Sequence, residues 1–287
     1  MYRAKEAGRN CYRAYSPEML SATLIKEKQH QQLRLAIERE EFELVYQPQV
    51  ELHNFAIHGA EALLRCRHPD LIAVNPKNII HLSEELGLSE KIGSWVLKSV
   101  FEQIKKWNIK KLPIKKIALN TTALELHHPQ YIKFLTKLLH KNPEYSDLLE
   151  IEITEKTLLS LINKQSTVLH EIKKTGISIC IDDFGSGISS LSYLKDYPID
   201  VLKLDMSLIH KLPENKADSA IVSAITKLAL DLDIQVVAEG VETAQQLNFL
   251  RTTSCDLLQG FLFSAGLQPE KLEDLMINEK HAAPVFH

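Results

Sequence analysis

Eight short apolar stretches, at 42–50, 58–65, 116–121, 148–154, 178–182, 201–205, 235–241 and 257–263, recur through this chain. Longer helix-period stretches separate them, among them 89–107, 156–175, 217–231 and 243–252, and a further helix over 24–39 precedes the series. Eight strands alternating with helices over about 250 residues predict a TIM-type (β/α)8 barrel. The link at 51–57 is too short to hold a helical crossover, so the first two strands should pair antiparallel. The expected architecture is therefore an α/β barrel with one antiparallel strand near the N-terminus.

The stretch Ile177 to Asp183 shows what such a strand carries. Ile177, Ile179 and Ile181 share one parity and suit packing against helices; Ser178, Cys180 and Asp182 share the other. Small side chains leading to an acid fit an inner face that is crowded below and opens on polar chemistry at its end. Asp182 and Asp183 are adjacent, and two carboxylates so close need a raised pKa, a cation or separation into water. An isolated acidic pair is most simply a solvated turn, but the other strands end alike. Gln47, Glu61, Arg65, Asn120, Glu152, Glu155, Lys203, Asp205, Glu239, Glu242 and Gln259 all fall at strand ends. About eight acids against two bases at one barrel mouth would be badly destabilising without bound cations. The ligands are nearly all oxygen, which selects Mg²⁺, Mn²⁺ or Ca²⁺ over zinc or copper. Two such ions, bridged by Asp182, would suit phosphoester hydrolysis. DFG at 183–185 lacks the other kinase motifs, and GSGISS lacks the third glycine of a dinucleotide loop.

Composition excludes several classes. With 45% apolar and 25% charged residues and a net charge of -3, nothing suggests a surface for a nucleic acid polymer. Lysines at 105, 106, 110, 111, 115 and 116 read as a solvated face. Cys11, Cys66, Cys180 and Cys255 show no CxxC spacing and fit reduced cytosolic thiols. His127 and His128 precede a proline in an expected loop and receive no metal role. No signal peptide or membrane-length apolar run is present, so a soluble cytoplasmic chain is expected, with any membrane anchor placed upstream.

EALLR (61–65), LNTTA (119–123), EIEITE (150–155), IDDFGSG (181–187), PIDVLKLD (198–205), VVAEGVET (236–243) and CDLLQGFLFS (255–264) follow one another in an order that resembles EAL-domain phosphodiesterases, over roughly 25–275. The resemblance implies metal-dependent hydrolysis of cyclic di-GMP to linear pGpG, by in-line attack of water with the 3′ oxygen leaving. It implies that Glu61, Asn120, Glu152 and Asp182 hold one metal. Asp182 and Asp183 would hold the second, with Asp205, Glu239 or water completing the shell. The ions would be Mg²⁺ or Mn²⁺, with Ca²⁺ inhibitory. Lys203 would orient water, Glu239 would be general base or ligand, and Gln47, Arg65 and Gln259 would hold the phosphate and guanine groups of the substrate. Glu155 would brace the turn Gly185, Ser186, Gly187, and Glu242 would support the site from behind.

The family usually has DFGTGYSS where this chain has DFGSGISS, so Ile188 replaces a phenol in a turn linked to dimer contacts and metal affinity. Cys66 stands at a frequent tryptophan, and SAGLQP lacks a usual proline. None of these removes a ligand. A homodimer is implied by the resemblance alone. Residues 1–24 resemble the end of a GGDEF domain plus linker, 25–280 form the barrel and 281–287 a tail. The competing reading is a catalytically weak or inactive module that binds cyclic di-GMP.

Overall fold

The computed structural model describes residues 17–186 and 191–277, with side chains from residue 24 onward. Most of the expected upstream remnant, the tail 281–287 and Gly187 lie outside the described residues. The described residues form two compact units, one within residues 1–42 and 66–88 and the other within residues 43–65 and 89–287.

In the smaller unit, helix α1 (Pro17–Glu38) accompanies helix α2 (Pro76–Glu85), which the sequence pattern did not reveal. Asn75 starts α2 by accepting from the Lys77 N–H, and Pro76 supplies a fixed φ at the first helical position. Lys26 and Glu85 pair at 2.6 Å on the surface, a contact worth under about 1 kcal/mol. Burial of Leu33, Leu71, Ile79 and Leu82 does more, at about 1.5–3 kcal/mol for each side chain.

The larger unit is a closed barrel with strand order β1 to β8. Its strands are β1 (Phe42–Glu51), β2 (Ile57–Cys66), β3 (Lys116–Asn120), β4 (Leu149–Thr154), β5 (Ser178–Phe184), β6 (Val201–Leu204), β7 (Gln235–Glu239) and β8 (Leu257–Gln259). From β2 to β8 each neighbour is parallel. β1 pairs antiparallel with β8, Val50 opposite Leu258, and so runs against β2 as well. The reversed strand follows from the short connection after Glu51, where Glu51 and Ala56 close a tight turn by a 2.9 Å backbone bond.

Outward isoleucines, leucines and valines of the strands build one large core with the surrounding helices, including α3 (Ser89–Ile109), α4 (Ala123–His127) and α5 (Pro129–Lys141). Inside the barrel, Cys180, Val201, Val237 and Leu257 form a separate dry cluster. Each stands two residues before Asp182, Lys203, Glu239 or Gln259, so strand periodicity lifts those polar groups one layer above an apolar floor.

The elements also differ from expectation elsewhere, and β7 ends at Glu239 rather than at 241. The stretch 156–175 is two helices, α6 (Glu155–Asn163) and α7 (Val168–Lys173), because Gln165 turns left-handed (φ 51°) in a polar run. The final strand stops at Gln259, where the chain turns. Asp205 follows β6 as a helix cap, accepting from Ser207 N at 2.9 Å. His127 ends α4 and His128 precedes α5, where a loop was expected.

Candidate active site

Short strand-to-helix connections fix the polar ends. Thr122 caps α4 in a capping box with Glu125, and Thr154 caps α6 by accepting from Thr157 N. Thr243 caps the helix after β7 (Ala244–Leu250) in a capping box with Gln246. Each cap follows its strand closely, so Asn120, Glu152 and Glu239 are held on backbone with little freedom.

Lys203 is the centre of the cluster. Its side chain is 0% exposed, and Nζ lies 2.9 Å from Glu61, 3.1 Å from Glu152, 3.5 Å from Asp182 and 3.8 Å from Glu239. Burial alone would strip its proton, but Asp182, Glu152, Glu61 and Glu239 together outweigh that and hold the ammonium charged well above the usual lysine range. Glu61 is the second hub. It accepts from Lys203, from Asn120 Nδ2 at 2.5 Å and from Gln259 Nε2 at 2.6 Å. Burial would raise its carboxyl, yet Lys203 and these donors outweigh it, so Glu61 stays ionised below the ordinary range. Glu152 moves the other way: burial and then Glu61 push it well above that range, against the pull of Lys203.

Asp182 and Asp183 are brought together by a bulge. Ile181 pairs with Leu202 and Phe184 with Leu204, so β5 carries one more residue than β6 over this interval. Asp183 takes a left-handed conformation (φ 55°), which aspartate tolerates better than most residues. Adjacent strand residues would otherwise face opposite sides; here oxygens of Asp182, Asp183 and Glu239 lie within 4.8 Å of one another. The strand thus continues through the acidic pair instead of stopping there. Beyond it, Gly185 sits at φ 88°, where any L side chain is strained, with Leu208 Cδ1 2.6 Å from where a β-carbon would stand, and Ser186 donates its hydroxyl to the Asp183 carbonyl at 2.8 Å.

Two amides on the reversed strand complete the network. Gln259 Nε2 donates to Gln47 Oε1 at 3.2 Å, and its Oε1 accepts from Gln49 at 3.2 Å. Gln47 in turn donates to the Ser264 carbonyl at 3.1 Å. The sequence reading missed Gln49, although it shares the parity of Gln47 two residues away. It also missed Tyr193, which donates to Glu155 Oε1 at 2.8 Å from beyond the loop, a contact no spacing rule announces. Arg65 donates to the Leu64 carbonyl at 2.8 Å, and the Glu242 carboxylate lies 3.7 Å from His210. Phe261, within the stretch 257–263 expected as the last strand, lies beyond that strand's end and is 69% exposed, whereas Phe263 is buried.

Among these residues Glu61, Glu152, Asp182, Asp183 and Glu239 set five carboxyls against the single ammonium of Lys203. Glu152 Oε1 and Asp182 Oδ1 are buried without a hydrogen-bond partner. Such an oxygen set fits a hard divalent cation. The neighbouring group of Glu150, Glu152 and Cys180 suits one less well, because burial and then Glu150 and Glu152 keep the Cys180 thiol protonated.

The same burial makes stability depend on pH. Burial pushes Glu239 from 4.5 up to about 7, against Lys203, and Glu150 likewise to about 7, against Lys116. As pH rises from 4.5 to 7 the unfolded chain releases these protons and the folded chain retains them. The metal-free protein should therefore lose about 1.4 kcal/mol per pH unit for each carboxyl across that window. Glu61 acts oppositely, but only below 4.5; His58, its imidazole pushed down by burial, opposes the fall just below 6.5; Lys203 acts in the same direction as Glu239, but only above 10.5. Thermal melts in chelator should fall between pH 4.5 and 7.5 and recover with Mg²⁺ at the upper end; a flat profile would contradict this burial.

The EAL domain family model matches residues 30–265. The chain is 38% identical over 279 residues to the signalling protein YkoW of Bacillus subtilis, covering 97% of this chain and 35% of that protein. It is 37% identical over 272 residues to the bifunctional diguanylate cyclase/cyclic di-GMP phosphodiesterase MucR of Pseudomonas aeruginosa, covering 95% and 40%. The chain thus spans little more than a third of these relatives. The structure of the PaMucR phosphodiesterase in its c-di-GMP complex superposes with a TM-score of 0.80 at 37% identity, covering 85% of this chain and 99% of that one. No helix among the described residues is long and apolar enough to cross a membrane. With a closed barrel, one reversed strand and acids gathered around a buried lysine at one rim, the chain belongs to the EAL domain family.

Proposed function

We propose that this chain hydrolyses cyclic di-GMP to linear pGpG. The observation that carries this reading is the buried lysine enclosed by four carboxylates beside the Asp182, Asp183, Glu239 group. Glu61, Asn120, Glu152 and Asp182 would hold one Mg²⁺ or Mn²⁺; Asp182 and Asp183 would hold a second, with Asp205 or Glu239 at its edge. When bound, such ions lower the pKa of water and neutralise charge developing on phosphate, with Ca²⁺ inhibitory.

Glu239, pushed up to about 7, takes the proton of the attacking water. The water oxygen bonds to phosphorus as the P–O3′ bond breaks, and the 3′ oxygen leaves to be protonated. Lys203 contributes charge and order: it keeps Glu61 ionised and aligned with Asn120 and Gln259, and faces Glu239 across 3.8 Å. Gln47, Gln259 and Arg65 line the substrate side, where the two glutamines already hold each other. Glu155, gripped by Tyr193, and Gly185 against Leu208 would steady the two ends of the loop after Asp183, which includes Ser186 and Gly187; Glu242 would support β7 from behind.

The relatives named cyclic di-GMP phosphodiesterases and the c-di-GMP complex support this assignment. In the longer protein we place a GGDEF or sensor domain upstream, a homodimer through the barrel, and a cytoplasmic location. Incubation with Mg²⁺ or Mn²⁺ and cyclic di-GMP should yield pGpG and no product in chelator. Tight binding with no cleavage under either metal would replace the enzyme with a binding module.

A further inference from the structure

We infer that Phe261 is a stacking platform for a guanine base of the substrate. This rests on the cyclic di-GMP reading and deepens it, since the amides of Gln47 and Gln259 can hydrogen-bond a guanine edge but offer nothing to its face.

Among the described residues, Phe261 is the one aromatic in the set of large hydrophobic side chains left exposed, at 69%. Its neighbours Leu262 and Phe263 are buried at 4% and 7%, so the apolar run does pack, with this ring left out. A single exposed aliphatic needs no explanation, but this ring stands on a turn held in place by close packing and backbone hydrogen bonds. Gly260 lies against Val241, where a β-carbon would come 2.2 Å from the Val241 carbonyl oxygen. Val241 N donates to the Gln259 carbonyl at 3.1 Å, and Leu262 N to the Val241 carbonyl at 3.0 Å. The turn is therefore clamped to the segment that follows Glu239, at the barrel rim.

Position and chemistry agree. Two residues span at most about 7 Å, so Phe261 is within reach of anything Gln259 touches, and Gln259 touches Glu61. Glu61, Glu152 and Lys203 are buried, so a phosphodiester brought to them leaves its bases at the rim. There an aromatic face offers a purine what amides and carboxylates do not, a flat apolar surface for stacking.

The test compares wild type with Phe261→Ala, Phe261→Leu and Phe261→Trp on cyclic di-GMP and on bis(p-nitrophenyl) phosphate, a phosphodiester without a purine. Phe261→Ala and Phe261→Leu should lower kcat/KM for cyclic di-GMP relative to bis(p-nitrophenyl) phosphate by about 5- to 100-fold, chiefly through KM, and Phe261→Trp should restore the ratio. An unchanged ratio, including an equal fall on both substrates or a change only in oligomeric state, overturns the assignment. If wild type binds but does not cleave, the same ratio is read from Kd for cyclic di-GMP. A wild type that neither binds nor cleaves it overturns the underlying reading, and this is seen without any variant.

Discussion

Glu61→Ala should lower kcat for cyclic di-GMP by about 10³-fold or more, the largest single effect expected in this protein. Glu61 is the acceptor shared by Lys203, Asn120 and Gln259, so alanine removes a cation ligand and leaves three donors without their partner. Metal affinity should fall too, by about 10- to 100-fold, as it does when groups that orient ligands are lost. The fold should survive, because Lys203 retains Glu152 at 3.1 Å and Gln259 retains Gln47 at 3.2 Å, which leaves Asn120 as the one donor of the three without an acceptor, at about 1–3 kcal/mol. Glu61→Gln keeps the shape without the charge and should also be inactive, which separates electrostatics from packing. The measurements are pGpG formation and a melt of each variant; undiminished hydrolysis by a folded Glu61→Ala protein would refute the site.

Lys203→Met should reduce both turnover and stability. Methionine fills similar volume, but Glu61 and Glu152 then lose the one ammonium within 3.1 Å of both. Removing one partner of a buried ion pair typically costs about 3–5 kcal/mol, or about 10 °C in Tm for a domain of this size. The loss should be larger at pH 8 than at pH 5, because protonation at low pH relieves carboxylates that have lost their cation. Mg²⁺ should recover part of the stability without restoring turnover. The double variant with Glu152→Gln should likewise regain stability and stay inactive. A Lys203→Met protein that melts like wild type at pH 8 would mean the lysine is not the counter-charge of this cluster.

The acid network also explains why so much chemistry was legible beforehand. Glu61, Asn120, Glu152, Asp182, Lys203, Glu239 and Gln259 each lie on a strand whose parity can be counted from local residues, and Asn120, Glu239 and Gln259 are the last residues of theirs. Helix breaks were less legible: Gln165 interrupts an apolar period that continues on both sides. Phe261 falls outside the strand expected over 257–263 because an apolar run gives no sign of where a clamped turn will end the strand and expose one of its members.

By itself the sequence determined the alternation of strands and helices, the reversal of β1 and the polar ends, because periodicity and connection length act between near neighbours. Only the tertiary structure decided that Lys203 would be buried among four carboxylates, and that a bulge would turn Asp183 toward Asp182 and Glu239. It alone joined Gln49 to Gln259 across the closing seam. These outcomes depend on which distant strands meet when the barrel closes, and on charges that acquire their ionisation state only once water has been excluded from between them.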